Sequence, residues 1–278
     1  MDTRVEVLIE SLPYIQDFKD KVFVVKIGGS TLTDAEKRRV MLQDVALLDT
    51  VGIKVVLVHG GGKEISALTE KLGKEAKFIE GLRHTDEETM GIVKMALGKI
   101  NSEIVGELEN LDCDALGTTG KSGKMMEATR IEKLGFVGEI KNVNPKPLKE
   151  WLDDGYIPVI QPIGIDQDGN AVNINADEAA SSIAAAMKAE KLIFLTNVPG
   201  LLEDEKDEKT LISTIATKEL KEKLKWKELA GGMIPKTRAM IGAVEGGVKS
   251  VHIIDGRKPH ALLLEVFTDT GIGTMVTE

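Results

Sequence analysis

The sequence predicts an α/β fold: a three-layer α/β/α arrangement with a central, mainly parallel sheet. Three observations predict it. Short apolar runs rich in β-branched residues, at 22–27, 53–58, 157–160, 192–196 and 250–254, read as strands buried on both faces. Amphipathic helical patterns at 34–50, 63–72, 86–108, 176–189 and 235–246 fall between several of them, as helices that cover a parallel sheet must. Glycines follow the first two strands directly, in Gly28-Gly29-Ser30 and His59-Gly60-Gly61-Gly62, where such folds bind ligands. With 278 residues the chain has room for one large domain or two joined lobes, either with a substantial core.

The elements follow in order. Residues 4–18 carry Val5, Leu8, Ile9, Leu12, Ile15 and Phe18 at helical spacing, with Pro13 expected to kink the helix. This helix precedes the sheet and has no evident partner element of its own. The first strand, Val22-Phe23-Val24-Val25, runs into Lys26, and the second, Val55-Val56-Leu57-Val58, into His59. In Gly81-Leu82-Arg83-His84-Thr85-Asp86, a short strand gives way to a helix with Thr85 as the expected N-cap. The glycine-rich stretch 111–145 reads as a hairpin-rich excursion. Within it, Gly117-Thr-Thr-Gly120-Lys121-Ser122 resembles a phosphate loop, but the required earlier glycine is Ala115, so a simple turn is expected. Residues 202–209 are nearly all charged and read as a solvated loop.

Composition excludes several classes. A net charge of −9 with no basic, aromatic-interleaved patch argues against nucleic acid as a partner. Cys113 is alone, and the four histidines show no zinc-type spacing, so neither a disulfide framework nor a metal site is expected. No run suits a membrane span, and Asp2, Glu6, Glu10 and Asp17 interrupt any signal-peptide core. A cytoplasmic protein is expected.

The chemistry concentrates in a few positions. Lys26 precedes Gly28-Gly29, and Lys236 follows Gly231-Gly232-Met233-Ile234-Pro235. Two cations beside glycine turns, with a carboxylate such as Asp177 to orient them, suit stabilisation of a transferring phosphoryl group. Either of the turns after the first two strands, Gly28-Gly29-Ser30 and His59-Gly60-Gly61-Gly62, could alone equally be a plain strand-to-helix connection. Asn173, Asn175 and Asp177 precede a small-residue helix at 179–186, where any one of them could serve as an N-cap. Together they exceed what capping needs, and amides suit the carboxylate and amide groups of a small substrate. The Arg83 fork suits a carboxylate. Thr196-Asn197-Val198-Pro199-Gly200-Leu201 ends a buried strand where a nucleotide or a bare turn would fit.

In this order the motifs Lys26-Ile-Gly-Gly, His59-Gly-Gly-Gly, Gly81-Leu82-Arg83, Asn173-Ile-Asn175-Ala-Asp177 and Gly231-Gly232-Met233-Ile234-Pro235-Lys236 resemble the amino acid kinase family over essentially the whole chain. The branch they resemble phosphorylates N-acetyl-L-glutamate. The resemblance implies a substrate lobe at 21–175 and a nucleotide lobe at 176–278, with a soft boundary, after an oligomerisation helix at 1–20. It implies that Lys26 and Lys236 stabilise the phosphoryl group, that Asp177 organises them, and that Gly28, Gly29 and Gly61 donate N–H groups. Gly61, Gly62, Arg83, Asn173 and Asn175 would meet the substrate. Lys26, Thr196, Asn197, Gly200, Leu201, Gly232, Met233 and Lys236 would meet ATP, whose phosphates carry Mg2+. Asn197 stands where the family often has Asp, and His84 where an aliphatic residue is usual. The N-terminal helix and the run 250–278 resemble the arginine-inhibited, hexameric branch, a trimer of dimers, with Tyr14, Lys191, His252, Glu265, Gly271 and Gly273 at the effector. The alternatives are a sister kinase of carrier-linked aminoadipate or glutamate, which should lack the helix, and a dead arginine or nucleotide sensor, which should lack the lysines or Asp177.

Overall fold

The computed structural model describes residues 3–79, 81–204, 207–225 and 233–278, with the side chains of 3–8 outside the description. Val5, Leu8, Gly231 and Gly232 therefore lie, wholly or in their side chains, outside the described residues. The chain opens with α1 (Thr3–Phe18), β1 (Val22–Ile27), the short α2 (Ser30–Thr33), α3 (Ala35–Thr50), β2 (Lys54–His59) and α4 (Gly62–Lys71). A small hairpin of β3 (Phe78–Ile79) and β4 (Leu82–Arg83) leads to the long α5 (Glu87–Glu109). Next come β5 (Ala115–Thr119), β6 (Met126–Arg130), β7 (Val137–Val143), α6 (Lys146–Asp153), β8 (Ile157–Gln161), β9 (Ile163–Ile165) and β10 (Ala171–Ile174). The second half holds α7 (Ala176–Met187), β11 (Lys191–Thr196), β12 (Thr214–Ala216), α8 (Thr217–Lys225), α9 (Met233–Glu245), β13 (Ser250–Asp255), α10 (Ala261–Phe267) and β14 (Thr274–Thr277).

Among the described residues, eight strands form one sheet in the order β12-β14-β13-β11-β1-β2-β8-β5. From β13 to β5 every pairing is parallel, and β14 joins β13 antiparallel. The sheet is continuous across both halves of the chain. Its alternation divides the core in two. Phe23, Val25, Ile27, Val55 and Leu57 pack under α3, α5 and α10, while Val24, Val56, Val58 and Phe194 pack under α7 and α9. Lys26 shares the parity of Val24, so it projects towards α7. That parity decides where the chemistry sits.

The five expected strands and the helices between them agree with the observed elements to within two residues. Three expectations need correction. Ala115–Thr119 is the edge strand β5 of the main sheet, not part of an excursion; β6, β7, β9 and β10 instead close a separate small barrel. The phosphate-loop resemblance ends there, because β5 runs through a single turn into β6 and not into a helix. The N-cap of α5 is Asp86, whose carboxylate accepts from Thr89 N at 2.7 Å; Thr85 is occupied in a bridge to Gly135.

The third correction concerns α1, which continues through Pro13 and is not without a local partner. Tyr14, Ile15 and Phe18 pack on the core, and the Phe18 ring meets Phe23 edge-on at 5.2 Å. Only the earlier part keeps an unpartnered apolar face: Ile9 is 62% and Leu12 46% exposed. No helix among the described residues is long and apolar enough to cross a membrane.

One buried cation braces the first glycine turn. Arg38, in the first turns of α3, donates to the carbonyl of Leu32 at 2.9 Å and to Glu107 of α5 at 2.9 and 2.5 Å, with Glu103 at 3.3 Å. Removing it leaves the Leu32 carbonyl and the Glu107 carboxylate without their charged donor. Arg38→Ala is expected to cost about 2–3 kcal/mol, the scale of lost hydrogen bonds to charged groups. A urea titration checks this; a midpoint equal to the parent's would remove Arg38 as a brace.

Candidate functional site

The parallel register sets β1 beside β2 on one side and β11 on the other, so the turns following these strands emerge side by side. Asn175 caps the next helix, accepting from Asp177 N at 2.8 Å and Glu178 N at 3.2 Å. Its capping reading therefore holds, and the cap fixes Asp177 in the first turn of α7. There the helix dipole favours a carboxylate.

Asp177 holds both lysines. Its Oδ1 lies 2.9 Å from Lys26 Nζ and its Oδ2 2.7 Å from Lys236 Nζ. The three side chains come from β1, α7 and α9, and all are largely buried. Burial alone would raise the Asp177 pKa, but the two ammoniums reverse that and hold it at about 2. Burial lowers the Lys236 pKa, which its pairing with Asp177 opposes. The Lys236 ammonium also sits 5.0 Å over the Phe194 ring of β11.

Gly28 lies under the Lys26 side chain. A Cβ at position 28 would come within 2.6 Å of the Lys26 ammonium. Gly29 adopts φ 61°, in the left-handed region, and a Cβ there would strike the Asn197 side chain. The second turn is backed by α5, since a Cβ on Gly61 would meet Leu97 and Ile100. Its first residue, His59, is fully buried. Nδ1 faces the Gly60 carbonyl at 2.8 Å, and Nε2 faces the Asn101 amide at 3.1 Å. This pattern fits a neutral ring with the proton on Nδ1, and burial lowers the His59 pKa to about 4.

Beside the triad lies a cleft of about 260 Å³. Both glycine turns, Phe78, Arg83, Asn173, Asn175 and Asp177 line it, with Lys26 at its edge. The Arg83 Nη2 donates to Gly62 O at 2.9 Å and Ser66 Oγ at 2.8 Å, and the guanidinium lies 4.7 Å over Phe78. Its Nη1 is buried without a protein partner. A buried unpaired donor on a cation calls for an oxygen partner from outside the chain, water or ligand. Asn173, in β10, is held 3.3 Å from Thr85 Oγ1. The arrangement suits a dianionic small molecule with one end at Arg83 and the other at the lysines.

The residues expected near a nucleotide are placed less openly. The Thr196 hydroxyl is engaged within its own turn and with β13, at 2.9 Å from Val198 O and 3.3 Å from Ile254 O. Asn197 accepts from Ser30 across the sheet. Leu201 is buried, its N–H bonded to Thr274 Oγ1, and a Cβ on Gly200 would run into that same threonine. Met233 begins α9 and packs on the second core; Gly232 lies outside the described residues.

The expected effector residues do assemble, at the opposite end of β11 from the triad. Lys191 Nζ lies 3.1 Å from His252 Nε2 and 5.2 Å over the Phe18 ring. His252 Nδ1 donates to Glu265 Oε1 at 2.6 Å. The other Glu265 oxygen accepts from Ile272 N at 2.7 Å and Gly273 N at 3.1 Å, and Gly271 leaves it room. Burial lowers the His252 pKa, which its hydrogen bond to Glu265 opposes. Tyr14 hydrogen-bonds to Asp269, and its ring lies 6.2 Å from that of Phe18. Both Glu265 oxygens thus already accept hydrogen bonds from their own chain. Sequence reasoning missed Ser30, Ser66, Phe78 and Asn101; only Ser30, adjacent to Gly29, carried any signal.

Comparison with known proteins places the chain in a family. Residues 21–255 match the model of the amino acid kinase family. The chain is 50% identical over 273 residues to the acetylglutamate kinase of Brachyspira hyodysenteriae, covering 97% of this chain and 95% of that one. To the acetylglutamate kinase of Methanocaldococcus jannaschii it is 48% identical, covering 100% and 97%. Among solved structures, N-acetylglutamate synthase from Neisseria gonorrhoeae, complexed with coenzyme A and N-acetyl-glutamate, superposes with a TM-score of 0.88 at 28% identity. That match takes in 99% of this chain and 63% of the longer synthase. Carbamate kinase from Giardia lamblia bound to AMP-PNP shares the fold, with a TM-score of 0.68 at 16% identity over 93% of this chain and 98% of that one. A family match spanning both glycine turns and Asp177, with near full-length relatives, leaves one conclusion: the chain belongs to the amino acid kinase family.

Proposed function

We propose that the protein is an ATP-dependent kinase that phosphorylates the γ-carboxylate of N-acetyl-L-glutamate, giving N-acetyl-L-glutamyl 5-phosphate and ADP, the second step of arginine biosynthesis. The observation that carries this reading is the Lys26–Asp177–Lys236 triad beside a cleft that Lys26, Asp177 and Arg83 line. The nucleophile is a carboxylate already ionised at neutral pH, so no general base is needed. A substrate oxygen forms the new P–O bond while the bond to the β–γ bridging oxygen breaks, and ADP leaves with that electron pair. Charge spreads over the transferring group, and the two ammoniums neutralise it. Asp177 keeps them apart, aimed and charged. Magnesium, in this reading, rides on the nucleotide phosphates and offsets their charge. Among the described residues no three His, Cys, Asp or Glu side chains are grouped to hold a metal.

In this reading residues 21–175 carry the amino-acid substrate and 176–278 the nucleotide. Arg83 binds the α-carboxylate and Asn173 the acetamido end. Gly28, Gly29 and Gly61 donate N–H groups to phosphoryl oxygens. The same proposal makes arginine a feedback inhibitor at Lys191, His252 and Glu265, with the exposed part of α1 pairing between subunits of a hexamer. Glu265 accepts three hydrogen bonds from its own chain, so a guanidinium binding there competes with His252 and the Ile272–Gly273 amides for its oxygens. An effector that favours one arrangement of these contacts over another can inhibit.

A coupled ADP-release assay with N-acetylglutamate, glutamate and aminoadipate tests the substrate; turnover of aminoadipate alone would overturn the assignment. Lys26→Ala and Lys236→Ala should each lower kcat on the order of 10²–10³-fold with small changes in KM. Near-parental kcat in either variant would remove that lysine from the chemistry. Arg83→Ala should raise KM for N-acetylglutamate by roughly 10- to 100-fold, the scale of charge-assisted hydrogen bonds, with KM for ATP unchanged. A rise confined to ATP would exchange the two lobes. Truncation of residues 1–11 spares Tyr14, Ile15 and Phe18, which pack on the core. It should leave an active dimer that no longer forms hexamers or responds to arginine. Light scattering and an arginine titration decide this, and a fully inhibited hexamer would sink the role given to the helix.

A further inference from the structure

The turn after β1 and the turn after β11 are tied by one side chain. The parallel register pairs Ile27 with Leu195, which brings Gly29 and Asn197 abreast just beyond the strand ends. Asn197 Oδ1 accepts from the backbone N–H of Ser30 at 3.1 Å and from the Ser30 hydroxyl at 2.8 Å. Ser30 opens α2, and the residue in the N-cap position, Gly29, has no side chain with which to cap it. Asn197 therefore supplies, from the turn after β11, an acceptor for one of the N–H groups left free at the start of α2. The same amide lies against the α-carbon of Gly29, filling the space a Cβ would need.

Gly28 and Gly29 are held between two constraints. On one side the Lys26 ammonium lies over Gly28, and on the other Asn197 fastens Ser30. A residue that touches only the backbone of this turn can still set the direction of its N–H groups. We propose that Asn197 is a positioning residue for phosphoryl transfer, acting through Ser30 to fix the Gly28–Gly29 backbone against Lys26. This rests on the kinase reading above and extends it. The nucleotide-side turn after β11 becomes part of the support of the phosphoryl-transfer turn, so the element beside the donor also aligns the acceptor side.

The role requires an oxygen acceptor, not an amide as such. Asn197→Ala should lower kcat by roughly five- to tenfold, the scale of one lost hydrogen bond carried into the barrier, with KM for ATP and N-acetylglutamate within about twofold. Asn197→Asp keeps the acceptor and should recover most of that loss. Ser30→Ala combined with Asn197→Ala should be less damaging than the product of the two single effects, because both act on one contact. Amide hydrogen exchange supplies a readout independent of turnover: the Ser30 N–H should exchange faster in Asn197→Ala and slow again in Asn197→Asp. Thermal melts of each variant identify any that fail to fold, and exchange at Ser30 in Asn197→Asp then decides the point. A raised KM for ATP with unchanged kcat would make Asn197 a nucleotide contact and overturn the inference. So would an Asp variant no better than Ala, or Ser30 exchange indifferent to position 197. A parent protein that releases no ADP with N-acetylglutamate would overturn the kinase reading itself, a result separable from all of these.

Discussion

A single carboxylate governs this structure. Asp177 holds two ammonium groups that would otherwise repel each other in a largely buried space, and each arrives from a different element. Burying two cations without an anion between them would cost several kcal/mol per ion. The arrangement of β1, α7 and α9 is therefore constrained by charge as well as by apolar packing. Much of the rest serves that constraint: Asn175 sets the first turn of α7, Gly28 clears space for Lys26, and Phe194 lies under Lys236. Small alanines on the buried face of α7 let it lie close to the sheet and to α9.

The second constraint is the parity of β1. Alternation along the strand sends Phe23, Val25 and Ile27 to one core and Val24 with Lys26 to the other. A one-residue slip would bury Lys26 against α3 and α5, in apolar surroundings, and would bring Val25 towards Asp177. Register here is enforced by the whole sheet, since β1 is paired along its length with both β2 and β11. Site geometry and core packing are one property of this strand.

How much of this was legible in the sequence depends on how local each signal was. Buried parallel strands announce themselves through composition, and so did the glycine turns after β1 and β2. Lys26, Asp177 and Lys236 were legible as chemistry because their residue types are costly to bury without purpose. Their convergence came from the order of motifs, and no local pattern contains it. The bridge that removes Thr85 from capping runs to Gly135, fifty residues away, and propensity cannot register such a pairing. The edge strand Ala115–Thr119 was hidden by two threonines and a glycine, which read as turn. Glu265 looked open to an effector because its partners His252, Ile272 and Gly273 meet only when α10 folds back on β13.

The buried imidazole at the head of the second glycine turn has a consequence for how steady the cleft is. With its pKa held at about 4, His59 is charged in only about one molecule in a thousand at pH 7. An ordinary surface histidine changes charge across the pH range in which cells vary. This one stays an electrically silent spacer, and its two nitrogens serve only to fasten the chain to Gly60 and Asn101. The charge felt by an anion in the cleft then comes from other groups: the two lysines, Asp177 and Arg83.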